Sequence, residues 1–307
     1  MQIVMLEDLK VSKEILDKYT KYYLKKGHEL IVCNKQLDDN DKIKLLSNAH
    51  IAIIGNQPFN SNLVEAASKL EFLSVGFTGC DHLDKSVFNT NIKISNASGY
   101  ATVATAELTI AMILNVLRNT VILDKIARNG KTMVGFMGNE LSGKTVGIIG
   151  QGKIGSHVRK ILECFGAKVL VNDIMSNNSY DLDKLLNESD IVTIHCPLNE
   201  STKGMFNKKM FSKMKTGAFL INCARGLIID DSALIDALDS GKIKTCGLDV
   251  FDEEPPLNSN HKLLNHKNII ITPHIAYASV ESMEKRIKIV FENIDAFLDG
   301  KQINIIK

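Results

Sequence analysis

Arginine is scarce in this chain. Of 37 Lys plus Arg among 307 residues, only five are arginine: Arg118, Arg128, Arg159, Arg225 and Arg286. There is no basic block, and the net charge is +2. Neither nucleic acid nor an anionic membrane is therefore expected as the main partner. The six cysteines (Cys33, Cys80, Cys164, Cys196, Cys223, Cys246) contain no C-x-x-C pair. Free thiols in a reducing cytoplasm are expected, with no disulfide framework and no metal. Apolar runs such as "NIIIT" and "AMIL" are far too short to span a bilayer. The opening "MQIVMLEDLK" meets acid at Glu7 and Asp8, unlike a secretory leader. No repeat of short fixed period is visible.

What is present is alternation. The length suits two domains better than one core. "QIVML", "HELIVC", "HIAIIG", "LEFLSV" and "NIKISN" read as strands, separated by helical spacing such as "SKEILDKYTKYYLKK". Residues 101–128 contain neither Pro nor Gly and read as one long helix, a candidate connection between domains. From "KTVGIIG" the alternation restarts and runs to "NIIIT", and a last helix is expected over 279–298. Strands alternating with helices imply parallel βαβ units, so the fold class is α/β with two separate sheets.

The segment "VGIIGQGKIGSHV" holds G-x-G-x-x-G at Gly150, Gly152 and Gly155. An apolar strand precedes it, an amphipathic helix follows, and the next strand ends in an acid, Asp173. This context reads as a dinucleotide site. Gly150 would allow the tight turn. Gly152 would let a pyrophosphate approach the helix N-terminus, and Gly155 would let helix and strand pack closely. Asp173 would bond the adenosine ribose hydroxyls and favour NAD over NADP.

"INCARGLIID" runs from a strand into a turn carrying Arg225. The next strand ends in "FDEEPP", with Glu253 and Glu254, and the next in "PHIAY", with His274. Carboxyl ends of strands in an open parallel sheet face the ligand crevice. A cation, a carboxylate and an imidazole thus lie at three successive strand ends. Arginine offers a planar fork suited to a carboxylate, and histidine beside a carboxylate shuttles protons near neutral pH. Together with a nicotinamide cofactor, these groups describe a 2-hydroxy acid dehydrogenase.

The motifs "VGIIGQGKIG", "HCPLNESTKGMFN", "LINCARGLIID", "GLDVFDEEPP" and "TPHIAYAS" occur in order. Over essentially its full length the chain resembles the D-isomer-specific 2-hydroxyacid dehydrogenases. The resemblance implies two doubly wound parallel-sheet domains with a cleft between them. A flavodoxin-like substrate domain would comprise 1–98 and 277–307, and a Rossmann-type NAD domain 99–276. It implies a catalytic set of Arg225, Glu254 and His274. Further cofactor contacts would come from Thr102, Lys153, Ile154, Cys196, Pro197, Cys223, Ala224, Asp249 and His274, with Asp249 holding the nicotinamide carboxamide. Backbone N–H groups of Phe77, Thr78 and Gly79 would cradle the substrate carboxylate beside Arg225 and His274.

The resemblance also implies reduction of a 2-keto acid to the D product, in a cytoplasmic homodimer joined through the cofactor domain. The apolar stretch Met133, Val134, Phe136 and Met137 would be covered in that dimer. Glu254 argues against a formate dehydrogenase, which has Gln there. No arginine precedes Arg118, which disfavours a phosphorylated substrate such as phosphoglycerate, and the length leaves no room for a C-terminal regulatory domain. Phe59 suggests an apolar wall for a small keto acid, with glyoxylate and hydroxypyruvate types as alternatives. A corepressor-like NAD-sensing dimer is the non-enzymatic alternative. His82, His195 and Cys223 are expected to be structural, with His195 either packing or lining the adenine side.

Overall fold

The structure, a computed structural model, describes residues 1–33, 37–133, 135–253 and 256–307. The chain divides into two compact units, Met1–Ala101 with Ala278–Lys307, and Thr102–Tyr277.

The first unit begins β1 (Gln2–Met5), α1 (Lys13–Lys25), β2 (Glu29–Val32), α2 (Asp39–Leu46), β3 (Ile51–Ile54), α3 (Ser61–Ala66), β4 (Phe72–Val75) and β5 (Lys93–Asn96). All pairings are parallel, in the order β2-β1-β3-β4-β5. Strands β3 and β4 are buried throughout, as a sheet covered on both faces requires. Phe59 is fully buried in this core with Leu63, Leu73 and Leu83. The apolar wall expected of it is not formed; the ring is core packing.

The second unit begins with α4 (Thr102–Arg118) and α5 (Thr120–Arg128). The single helix expected over 101–128 is thus broken. Asn119 takes φ 55° and the two helices bend by 61°. Asparagine tolerates this left-handed conformation better than other non-glycine residues, so a turn can form without Gly or Pro. There follow β6 (Thr145–Ile149), α6 (Lys153–Cys164), β7 (Lys168–Asn172), α7 (Leu182–Glu188), β8 (Ile191–Ile194), α8 (Lys208–Lys213), β9 (Ala218–Asn222), α9 (Asp231–Asp239), β10 (Ile243–Leu248) and β11 (Ile269–Ile271). The sheet is parallel, in the order β11-β10-β9-β8-β6-β7. Along β9 the side chains alternate between two cores: Ala218 and Leu220 join one, Phe219 and Ile221 the other.

The chain then returns to the first unit as α10 (Val280–Leu298). Ser279 and Ser282 close a capping box at its start. The helix packs on β4, where Ser74 Oγ donates to the Val290 carbonyl at 3.1 Å and Phe72 stacks on Phe297. Of the six cysteines only Cys164, the last residue of α6, is exposed. Among the described residues no single helix is long and apolar enough to cross a membrane.

Candidate active site

Strand order in the second sheet reverses at β6: the chain steps to β7 on one side, then to β8 on the other. The crevice below such a reversal is where open α/β sheets bind ligands. Gly150 leaves β6 at φ 93°, and a Cβ there would lie 2.7 Å from the Cys196 nitrogen. Only glycine meets both demands. A Cβ on Gly155 would collide with the Gly150 carbonyl oxygen, so turn and helix touch. A Cβ on Gly152, by contrast, would meet nothing within 4 Å. Gly152 caps α6 without a side chain, so the helix opens onto free space with its first N–H groups outward. The residues fit a dinucleotide pyrophosphate.

Lys153 opens α6 and is exposed, while Ile154 packs into the core. Asp173 ends the next strand, as expected. Its Oδ2 accepts the Gln151 N–H at 2.5 Å and its Oδ1 the Met175 N–H at 2.8 Å. The carboxylate therefore shapes the glycine turn itself, a role that spacing alone does not reveal.

Across the crevice, His195 points its Nε2 at Thr193 Oγ1, 2.9 Å away, and burial pushes its pKa down to about 4. It is neutral near pH 7. Cys196 is half-buried and Pro197 exposed; burial pushes the Cys196 thiol up to about 11. Cys223 is buried, and its thiol is pushed up to about 12 by burial and then by Asp249. Both are poor nucleophiles at neutral pH.

Arg225 stands one residue past a turn built by Asn222, which is fully buried at the end of β9. Asn222 Oδ1 accepts the Ala224 N–H at 2.9 Å, and its Nδ2 donates to the Arg225 carbonyl at 2.8 Å. Arg225 Nη1 donates to the Ala224 carbonyl at 2.8 Å. Sequence reasoning misses Asn222. The signal that could find it is an amide closing an apolar strand immediately before an arginine turn.

His274 lies past β11 with φ 54°, a left-handed conformation uncommon outside glycine, asparagine, aspartate and histidine. Asp249 holds it there. The Asp249 carbonyl accepts the His274 N–H at 2.8 Å. Its Oδ1 accepts Thr272 Oγ1 at 2.5 Å and the Ile275 N–H at 2.9 Å, and its Oδ2 accepts the Ala276 N–H at 2.8 Å. Burial raises the Asp249 pKa, opposed by Thr272 and by the two N–H groups. Asp249 thus builds the histidine turn, a role that the family resemblance did not name. Its own N–H donates to the Asn222 carbonyl at 3.0 Å, linking the two turns. Tyr277 packs edge-on against the His274 ring, with centroids 5.7 Å apart. Thr102 and Ala224 are half-buried, at the start of α4 and before Arg225.

Glu254 lies outside the described residues, as does Val134. Its neighbour Glu253 accepts the Asn258 N–H at 3.3 Å, within its own loop.

In the first unit, Phe77, Thr78 and Gly79 follow β4. The Thr78 carbonyl accepts Asn96 Nδ2 at 2.6 Å and the Phe77 carbonyl the Ala97 N–H at 3.1 Å. Arg286 is buried beneath Phe77 and Tyr100, 5.3 and 5.8 Å from their ring centroids. The His82 carbonyl accepts the Phe59 N–H, consistent with a structural role.

A family model described as D-isomer specific 2-hydroxyacid dehydrogenase, NAD binding domain, matches residues 110–276. A hydroxypyruvate reductase of Blautia hydrogenotrophica is 33% identical over 88% of this chain and 88% of its own length. A glyoxylate reductase of Thermofilum pendens is 38% identical over 79% of this chain and 76% of its own. Among solved structures, an acyclic imino acid reductase in complex with NADPH and D-Arg aligns over 100% of both chains, with 29% identity and a TM-score of 0.91.

Proposed function

This chain belongs to the D-isomer-specific 2-hydroxyacid dehydrogenase family, NAD-dependent oxidoreductases acting on CH–OH donors, and we propose that it reduces a small 2-keto acid to the D-2-hydroxy acid. The observation that carries this reading is the coupling of two turns at the ends of β9 and β11. Asn222 shapes the one bearing Arg225, Asp249 shapes the one bearing His274, and the two shapers are hydrogen-bonded to each other. The names of the relatives favour glyoxylate or hydroxypyruvate as the substrate class.

Gly150–Gly155 and Asp173 would hold the nicotinamide cofactor, which as NADH would supply hydride to C2 of the keto acid and as NAD would take it back in the reverse direction. Arg225 engages the substrate carboxylate with its planar fork and polarises the C2 carbonyl. His274 gives its proton to the developing alkoxide in reduction and takes one back in oxidation. Glu254 is assigned to hold the imidazole; Glu253 already accepts a bond within its own loop. The backbone of Phe77, Thr78 and Gly79 is assigned to substrate binding on the family resemblance. Helix α5 buries none of its residues within the chain, Val121 on it is 41% exposed, and Met133 and Met137 after it are 57% and 79% exposed. We assign this face to a homodimer. A sedimentation mass near one chain at micromolar concentration would argue against it.

The test is turnover of NADH with glyoxylate, hydroxypyruvate and longer 2-keto acids, with and without an amine. Reduction of a keto acid without amine supports the reading; turnover only with amine points instead to an imino acid. Glu254→Gln should move the pH limbs of reduction and oxidation to lower pH by about 1 unit. Unmoved limbs would detach Glu254 from His274.

A further inference from the structure

Three polar side chains from distant parts of the second unit meet beside the arginine turn, and the mechanism above does not use them. His261 is nearly buried; its Nε2 lies 2.9 Å from Asp252 Oδ1 and 3.7 Å from Asp231 Oδ2. The ligand atoms of the three lie within 4.8 Å of one another, a spacing that suits a metal ion. The imidazole, however, is already oriented as a donor. Its Nδ1 accepts the Leu263 N–H at 3.3 Å, so in the neutral ring the proton sits on Nε2 and faces the carboxylates. The cluster is one N–H donated to Asp252, with the Asp231 carboxylate facing the same nitrogen at 3.7 Å.

Its placement gives it leverage. Asp231 opens α9, directly after the turn that carries Arg225. Asp252 follows Phe251, and a Cβ on Gly226, next to Arg225, would collide with the Phe251 carbonyl. The arginine turn and the start of the 251–263 loop are therefore in backbone contact. Phe251, Pro256, Leu257 and Leu264 line a largely apolar cavity of about 230 Å³ together with Ile271, Thr272 and Pro273. The His261 contacts, a hydrogen bond to Asp252 and a charge contact at 3.7 Å to Asp231, set the start of the loop against the start of α9, on either side of the Gly226–Phe251 contact. Burial, then the charge of Asp252, pushes Asp231 up to about 6, as expected of two carboxylates crowding one donor.

We propose that His261, Asp252 and Asp231 form a positioning clamp that holds the Arg225 turn in its working geometry. The proposal rests on the assignment of Arg225 to the substrate. The clamp residues touch no reacting atom; they act through the turn.

The experiment is a double-mutant cycle on kcat/KM for keto acid reduction, using His261→Ala, Arg225→Lys and the combined variant. His261→Ala should lower kcat/KM by about tenfold or more, as a displaced positioning element does. In the Arg225→Lys background the same change should have an effect of about twofold or less, because the fork it positions is gone. NADH affinity, read by fluorescence titration, should stay within about twofold, and His261→Gln, which places an amide N–H near the lost Nε2, should restore most of the activity. Additive losses in the cycle, or wild-type kcat/KM in His261→Ala, would overturn the clamp. If His261→Ala does not fold, Asp252→Ala takes its place in the cycle, since that side chain is 49% exposed. Should the wild-type chain reduce no keto acid, the functional reading fails by itself. Hydrogen exchange over residues 224–232 then still decides the structural half: faster exchange in His261→Ala upholds the clamp, and unchanged exchange removes it.

Discussion

Beneath its strand-order reversal, between β1 and β3, the first sheet is closed by a side chain. Glu7 is 7% exposed, and its Oε2 accepts the Asn56 and Gln57 N–H groups at 3.1 and 3.2 Å. A Cβ on Gly55 would come within 2.5 Å of that oxygen. At the corresponding reversal of the second sheet, between β6 and β8, Gly152 has open space in front of it and a helix N-terminus behind it. The topology is the same and the use is opposite. Strand order creates a crevice; whether a ligand enters depends on what the first turn places there. A carboxylate fills the crevice and consumes its N–H donors, whereas glycines leave both space and donors for a phosphate.

The comparison can be pressed hardest where the second sheet carries its reactive groups. Arg225→Lys keeps the charge and loses the fork, so kcat/KM for keto acid reduction should fall by about 3 kcal/mol or more. Near-wild-type efficiency would leave the second sheet with a cofactor crevice and no substrate cation.

Next comes the crevice itself. Gly152→Val would fill the open site much as Glu7 fills the first one. NADH affinity, measured by fluorescence titration, should drop by at least about 2 kcal/mol, because the backbone can no longer approach the pyrophosphate. The fold should survive, since no neighbour lies within 4 Å of the new Cβ. Unchanged affinity would mean that openness at Gly152 is not what distinguishes the sheets.

A smaller effect is expected at Asp173. Asp173→Ala removes the carboxylate assigned to the ribose hydroxyls, so the preference for NADH over NADPH should narrow by about 1–2 kcal/mol in kcat/KM ratios. A wild-type enzyme that prefers NADPH would defeat that assignment.

Smallest is the change at Glu7, on the sealed side. Burial raises its pKa, against the opposing pull of the Gln57, Gly55 and Asn56 N–H groups and of Lys42. An acid whose pKa is raised on folding contributes stability that is complete below its unfolded value and lost as pH rises through its folded value. Glu7→Gln removes that dependence. Its stability should lie within about 1 kcal/mol of wild type, and the difference in Tm between mildly acid and mildly alkaline buffer should shrink. NADH affinity should not change, because the Glu7 side chain itself occupies that crevice.

Much of the fold is legible in the chain, for identifiable reasons. Strands buried on both faces read as mainly apolar runs, so β3, β4, β8 and β9 stand out. The glycine turn is legible because steric demand at Gly150 and Gly155 excludes every other side chain. Asn119 is not legible: nothing in a helical spacing marks an asparagine that takes the left-handed region. Phe59 misleads because an aromatic after a strand can line a pocket or fill a core, and only the packing decides. The anchoring roles of Asn222, Asp249 and Asp173 depend on where side-chain oxygens point, which spacing does not encode. The clamp joins positions 231, 252 and 261 through contacts that no local pattern announces.

The distribution of thiols has a practical side. Cys196, Cys223 and Cys246 all have their pKa values raised by burial, and Cys164 alone is exposed, at the far end of the helix that begins at the glycine turn. At neutral pH and short exposure, a maleimide dye should therefore attach first at Cys164, ahead of the half-buried Cys33 and Cys80. The attachment point lies about 18 Å along α6 from its N-terminus, at 1.5 Å rise per residue. That span lets a fluorophore report the arrival of a nicotinamide nucleotide by energy transfer while leaving the crevice unobstructed.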